Sequence, residues 1–186
     1  MQNLFDKYEA TKMFLNLISD CKTNIIEDDL LNQLLSFMIK LLEGGNLKVQ
    51  KTIYNFFIYY PKSETLFWKL HSIIIEAINF IMDDKKTLKS STITSNDDLS
   101  LDLINSKENL KSELLEKTLR LLQLFTEGHN LDLQNYVRFQ INSRNNYDMV
   151  SAIVELLEAY HKNLDVRTYN NYVKCLDTLI EFVQVR

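Results

Sequence analysis

Glu43-Gly44-Gly45-Asn46-Leu47-Lys48-Val49-Gln50 returns 84 residues later as Glu127-Gly128-His129-Asn130-Leu131-Asp132-Leu133-Gln134, and this recurrence decides the fold. Each copy has the pattern of a break between two helices. A Gly favours the left-handed residue that closes the first helix, and an Asn favours the N-cap of the next. The flanks match in type as well. Leu30, Leu31 and Leu35 fall on Leu114, Leu115 and Leu119, and Tyr147 to Tyr160 answers Ser63 to Ala77. The sequence therefore carries two copies of one helical hairpin unit. Units that need a neighbour to bury their apolar faces are the mark of an α-solenoid.

Working outward, residues 3–20 place Leu4, Phe5, Tyr8, Met13, Phe14, Leu17 and Ile18 on an approximate i, i+3/i+4 stripe, which predicts a first amphipathic helix. Glu27, Asp28 and Asp29 supply an acidic start to a second helix that is apolar at most positions from Leu30 to Leu42. A third helix over about 47–60 stops at Pro61, and Ser63 is placed to cap a fourth over about 64–82. From Asp83 to Glu108 the stripe dissolves into Lys, Ser, Thr, Asn and Asp, which reads as a flexible polar linker. Helical grammar resumes over 109–127, 131–141, 147–161 and 167–184. The expectation is an all-α, armadillo-like helical-repeat solenoid fragment of about eight helices. It divides into a first block at 1–82, the linker at 83–108 and a second block at 109–186.

Composition narrows the function classes. The 186 residues are 46% hydrophobic with three Gly and one Pro, enough apolar surface for a core and too few breakers for a turn-dense β fold. The net charge of −4 and the lack of a large Lys/Arg cluster argue against nucleic acid as a partner. Cys21 and Cys175 stand far apart and outside any C-x-x-C pair, so they read as buried thiols of a reducing, cytosolic compartment. Charges at Asp6, Lys7, Glu9 and Lys12 interrupt any signal-peptide core. No uninterrupted apolar run reaches the length of a membrane span, so direct membrane insertion is not expected.

No residue set reads as catalytic, cofactor-binding or metal-ligating, and no enzyme is expected. Acidic pairs at 28/29, 83/84 and 97/98 flank helix starts or the polar segment, where helix-dipole and solvation roles suffice. His71, His129 and His161 fall on separate elements without a His or Cys at i, i+4. Gly44-Gly45 follows a helix, not the strand that a phosphate loop requires. Phe56, Phe57, Tyr59, Tyr60, Phe67 and Trp68 read as core, with an exposed remainder facing another repeat. Thr87, Ser90 and Ser91 follow basic residues and are within reach of a basophilic kinase. Packing residues carry the expected role: Leu34, Phe37, Met38, Leu41 and Phe56 in the first unit, and Leu119, Leu122, Phe125, Val137 and Val150 in the second.

Particular strings add a resemblance. Leu41-Leu42-Glu43-Gly44-Gly45-Asn46-Leu47-Lys48-Val49-Gln50, followed by Lys62-Ser63-Glu64 and Phe67, resembles the "LLEGGN…Q…KSEKFF" stretch of inositol trisphosphate receptors. The run from Leu121 to Gln140 resembles the "LQLLCENHNLDLQNFLRNQ" shared by inositol trisphosphate and ryanodine receptors, and Asn146-Tyr147-Asp148-Met149-Val150 is similar to "NYNLV". Leu176 to Gln184 resembles "TLESLTEYCQG". Departures begin after Glu158, where Ala159-Tyr160-His161-Lys162-Asn163-Leu164-Asp165 replaces a Gly/Thr-rich stretch of the family.

The resemblance implies a helical segment of a homotetrameric intracellular calcium-release channel, on the cytosolic face of the endoplasmic reticulum or another calcium store. It implies the other domains of the same subunit and the neighbouring subunits as partners, and a relay of conformational change from the ligand-binding region to the pore. The basic ligand pocket and the membrane helices of such channels are not in this sequence. A free-standing helical-repeat adaptor that binds protein partners is the alternative.

Overall fold

A computed structural model describes residues 1–21, 25–88, 98–164, 166 and 168–184, with the side chains of 25–28, 84–88 and 98–108 outside the description. Nine helices occur among the described residues: α1 (Gln2–Lys7), α2 (Ala10–Asp20), α3 (Ile25–Leu42), α4 (Leu47–Tyr59), α5 (Ser63–Leu88), α6 (Asp98–Thr126), α7 (Leu131–Arg138), α8 (Met149–His161) and α9 (Tyr169–Val183). The chain is all-α among these residues, as its periodicity predicts.

The helices pack in three columns. α1 lies against α4 and α4 against α7; α2 lies against α5 and α5 against α8; α3 lies against α6 and α6 against α9. The repeating element is thus a unit of three helices, and three units are stacked: α1–α3, α4–α6 and α7–α9. This corrects the reading of two hairpin copies. The 84-residue recurrence is the step between the second and third units, and the first unit escaped notice because its opening helix lacks the Gly-Asn turn.

Several helix limits also differ from expectation. The stripe over 3–20 is broken at Tyr8–Glu9, where Glu9 takes a left-handed φ of 60°. Neither Gly nor Pro marks that break. The Asp6 carboxylate accepts from Thr11 Oγ1 at 2.7 Å and from Thr52 Oγ1 at 3.0 Å, which ties the end of α1 to α4 while α2 sets off in a new direction. Helix also enters both ends of the polar segment 83–108, since α5 runs to Leu88 and α6 starts at Asp98. No Gly or Pro lies between Pro61 and Gly128, so nothing in the backbone chemistry stops either helix there. That segment joins the second and third helices of the middle unit. Residues 89–97 lie outside the described residues, as do Ser90, Ser91 and the side chain of Thr87.

Ser63 is the first helical residue of α5 and not its cap. α7 is three residues shorter than predicted. α8 starts at Met149 behind Asp148, whose Oδ1 accepts from the N–H groups of Val150 at 3.0 Å and Ser151 at 3.2 Å. The stretch Ser63–Asp83 is long and apolar enough by length and composition to cross a membrane. Its stripe of Leu66, Phe67, Leu70, Ile74 and Ile78 is buried in the shared core, which accounts for its hydrophobicity.

Candidate functional site

The recurring turn and its two polar side chains form the most regular feature of the molecule. Asn46 caps α4 by accepting from the N–H groups of Lys48 at 3.1 Å and Val49 at 3.4 Å, and Asn130 caps α7 by accepting from Leu133 at 3.2 Å. Both predicted caps are therefore present. Four residues on, one helical turn inward, each motif places a glutamine.

Each glutamine grips the end of the third helix of its own unit. Gln50 donates through Nε2 to the carbonyls of Leu124 at 3.0 Å and Glu127 at 2.8 Å. Gln134 donates to Glu181 and Gln184, both at 2.8 Å. Gln2 does the same in the first unit, donating to Lys40 and Glu43, both at 2.9 Å. The last carbonyls of a helix have no partner within the helix, so one amide group satisfies two of them at once.

The capping asparagines join neighbouring units. Asn46 Nδ2 donates to Gln2 Oε1 at 2.8 Å, and Asn130 Nδ2 donates to Gln50 Oε1 at 3.1 Å. The result is a ladder of alternating Asn and Gln amides running through the stack. The sequence shows all four residues of the recurring motif, but their cross-unit bonding becomes visible only in three dimensions. Gln2 shares the role without sharing the motif, so no local signal could have found it.

Beside the ladder lies an aromatic cluster drawn from three elements of the middle unit and one of the third. The Phe57 ring stacks on Tyr136 at 5.1 Å and meets Phe67 at 4.9 Å and Phe125 at 5.5 Å edge to face. Tyr136 donates its hydroxyl to the Phe57 carbonyl at 2.8 Å, and burial pushes its pKa up. The packing residues named from sequence are in the core or against it: Leu34, Met38, Leu41, Phe56, Leu119, Leu122, Phe125 and Val137 are buried, and Phe37 and Val150 are half-buried beside them. Of the expected aromatic set, Phe56, Phe57 and Phe67 are buried while Tyr59, Tyr60 and Trp68 are exposed.

Two further links cross between the second and third units. Glu64, at the start of α5, accepts from the backbone N–H of Arg144 at 3.1 Å, and from Asn145 through its N–H at 3.2 Å and its Nδ2 at 3.0 Å. These donors, the Arg144 N–H first, hold its carboxyl below the usual range. On the other side Lys174 of α9 pairs with Glu116 of α6, and Thr178 donates to the Leu119 carbonyl at 3.4 Å.

The chemistry-bearing residue types are not brought together. His71 lies on α5 with its ring 5.6 Å from Tyr147, and desolvation lowers its pKa against the opposing pull of Glu155 and Asp148. His129 sits in the turn before α7 and His161 at the end of α8 beside Tyr172. Among the described residues no group of three or more His, Cys, Asp or Glu could hold a metal ion. Cys21 and Cys175 are buried and form no disulfide, and burial pushes the Cys175 thiol up to about 12. An open cleft of about 260 Å³ is lined by Pro61, Glu64, Thr65, Trp68 and Tyr147, but Glu64 is already committed to the Arg144–Asn145 loop.

Three-helix units stacked around one continuous core, with amide groups linking each to the next, define an armadillo-like helical-repeat scaffold. Residues 109–186 match the family model described as RyR and IP3R Homology associated. This stretch covers most of α6 and all of the third unit.

Proposed function

We propose that this chain is a cytosolic segment of a ligand-gated calcium-release channel at an internal calcium store, and that it relays conformational change from the ligand-binding region to the pore. The observation that carries this reading is the family match over 109–186. The packing supports it. Tightly packed helix interfaces hold discrete arrangements, so a displacement of one unit passes to the next as a rigid-body step. The partners are then the other domains of the same subunit and the adjoining subunits of a homotetramer.

The test is Tyr136→Phe in a polypeptide that carries this segment together with the pore. The substitution keeps the ring in the cluster and removes the hydroxyl, which bonds to the Phe57 carbonyl across the second and third units and also meets Ser63 and Ser143. Activating-ligand affinity is expected to hold while half-maximal calcium release shifts by about fivefold or more, the range of a modest coupling energy. Release unchanged, or affinity and release moving together, would overturn the relay.

A further inference from the structure

We infer that the exposed end of the third unit is a docking face for a further three-helix unit, entered by a helix whose capping asparagine donates its side-chain amide to Gln134 Oε1. The ladder sets the requirement. Gln2 Oε1 receives Asn46 and Gln50 Oε1 receives Asn130, whereas Gln134 Oε1 receives no donor among the described residues. Gln134 is 9% exposed, and its Nε2 is already fixed on Glu181 and Gln184, so its oxygen is held in place for the next rung.

An independent observation comes from the column α3, α6, α9. The carbonyl pairs gripped by the three glutamines put Leu35, Leu119 and Leu176 in equivalent positions, and likewise Leu42, Thr126 and Val183. In the first two units these positions are 0% exposed, since the following unit covers them. In the third, Leu176 is 37% and Val183 67% exposed, with Ile180 at 48% between them. An apolar stripe in register with a buried one, next to a fixed and unanswered acceptor, fits the same kind of unit that covers α3 and α6. The inference stands on this register and does not depend on the channel reading.

The experiment places a benzoylphenylalanine photocrosslinker at position 180 of the polypeptide that carries this segment, produced in its own cells, and identifies the joined peptide by mass spectrometry. The expected product is a peptide from a helical unit led by an asparagine cap. Gln134→Lys keeps donors for the Glu181 and Gln184 carbonyls and removes the acceptor, so crosslink yield should fall by about fivefold. Leu176→Asp, at an already exposed site, should lower the yield independently of any effect of the first variant on folding. A crosslink to a second copy of this chain, to a segment without such a helix, or to nothing would overturn the inference. So would a yield that neither variant changes.

Discussion

Phe56 and Gln140 stand 84 residues apart at the same place in two copies of one motif, and both are buried, yet they close the copy in opposite ways. Phe56 is fully buried near the end of a thirteen-residue helix and stacks on Tyr60 at 5.0 Å before Pro61 ends the run. In the second copy the helix is over at Arg138. Gln140 then folds back to donate to the carbonyls of Tyr136 at 2.7 Å and Tyr147 at 3.2 Å, while its Oε1 accepts from the Tyr147 N–H at 2.6 Å. Its own N–H donates to Asn146 Oδ1 at 2.9 Å. One copy ends on apolar packing and the other on a saturated polar knot. The difference explains why α7 is short: a side chain that satisfies Tyr136 and Tyr147 replaces the extra turn of helix that would otherwise have done so.

The comparison can be broken most forcefully at Phe56. Phe56→Ala removes a fully buried ring and should lower unfolding free energy by about 3–5 kcal/mol in urea denaturation. A cost under about 1 kcal/mol would mean that apolar packing does not close the first copy. Gln140→Leu keeps the volume but strands the Tyr147 N–H and two carbonyls. The expected loss is about 1–3 kcal/mol, with faster hydrogen exchange at Tyr147, and an unchanged exchange rate would count against the knot.

A finer contrast lies in the two turns. Gly44 and Gly45 take φ of 83° and 65°, and in the second copy Gly128 takes 79° while His129, a residue with a Cβ, takes 64°. His129→Gly relieves that strain and should raise stability by about 0.5–1 kcal/mol, read as a higher urea midpoint. The smallest expected effect concerns Glu64. Its folded pKa lies below its unfolded value, so the hold on the Arg144–Asn145 loop is present above the unfolded pKa and is lost as pH falls through the folded one. Hydrogen exchange at the Arg144 and Asn145 amides should accelerate, relative to core amides, once pH drops below the ordinary range of a glutamate carboxyl. A Glu64→Gln variant should show no such acid step.

Much of this architecture is legible in the sequence because it rests on local chemistry. Asparagine caps, glycines at left-handed turns and Pro61 fix helix limits within a residue or two, and leucine stripes mark the buried faces. What escapes is set by contacts between distant residues. The break at Glu9 depends on Asp6 bonding to Thr52, which no pattern within 2–20 records. The three-helix period is hidden for a similar reason: the units align by where Gln2, Gln50 and Gln134 find carbonyls, and not by matching strings. At 83–88 and 98–108 the sequence has no stripe to predict helix, yet segments without Gly or Pro need only a continuing backbone ladder to stay helical.

Cys175 carries a consequence of its own. Its thiol is fully buried on α9, and a pKa of about 12 leaves almost no thiolate at neutral pH. An alkylating reagent such as iodoacetamide can react there only in molecules whose third unit has momentarily opened. The rate of Cys175 modification is therefore a built-in clock for the breathing of that end of the stack, set by a native atom and readable without any introduced probe.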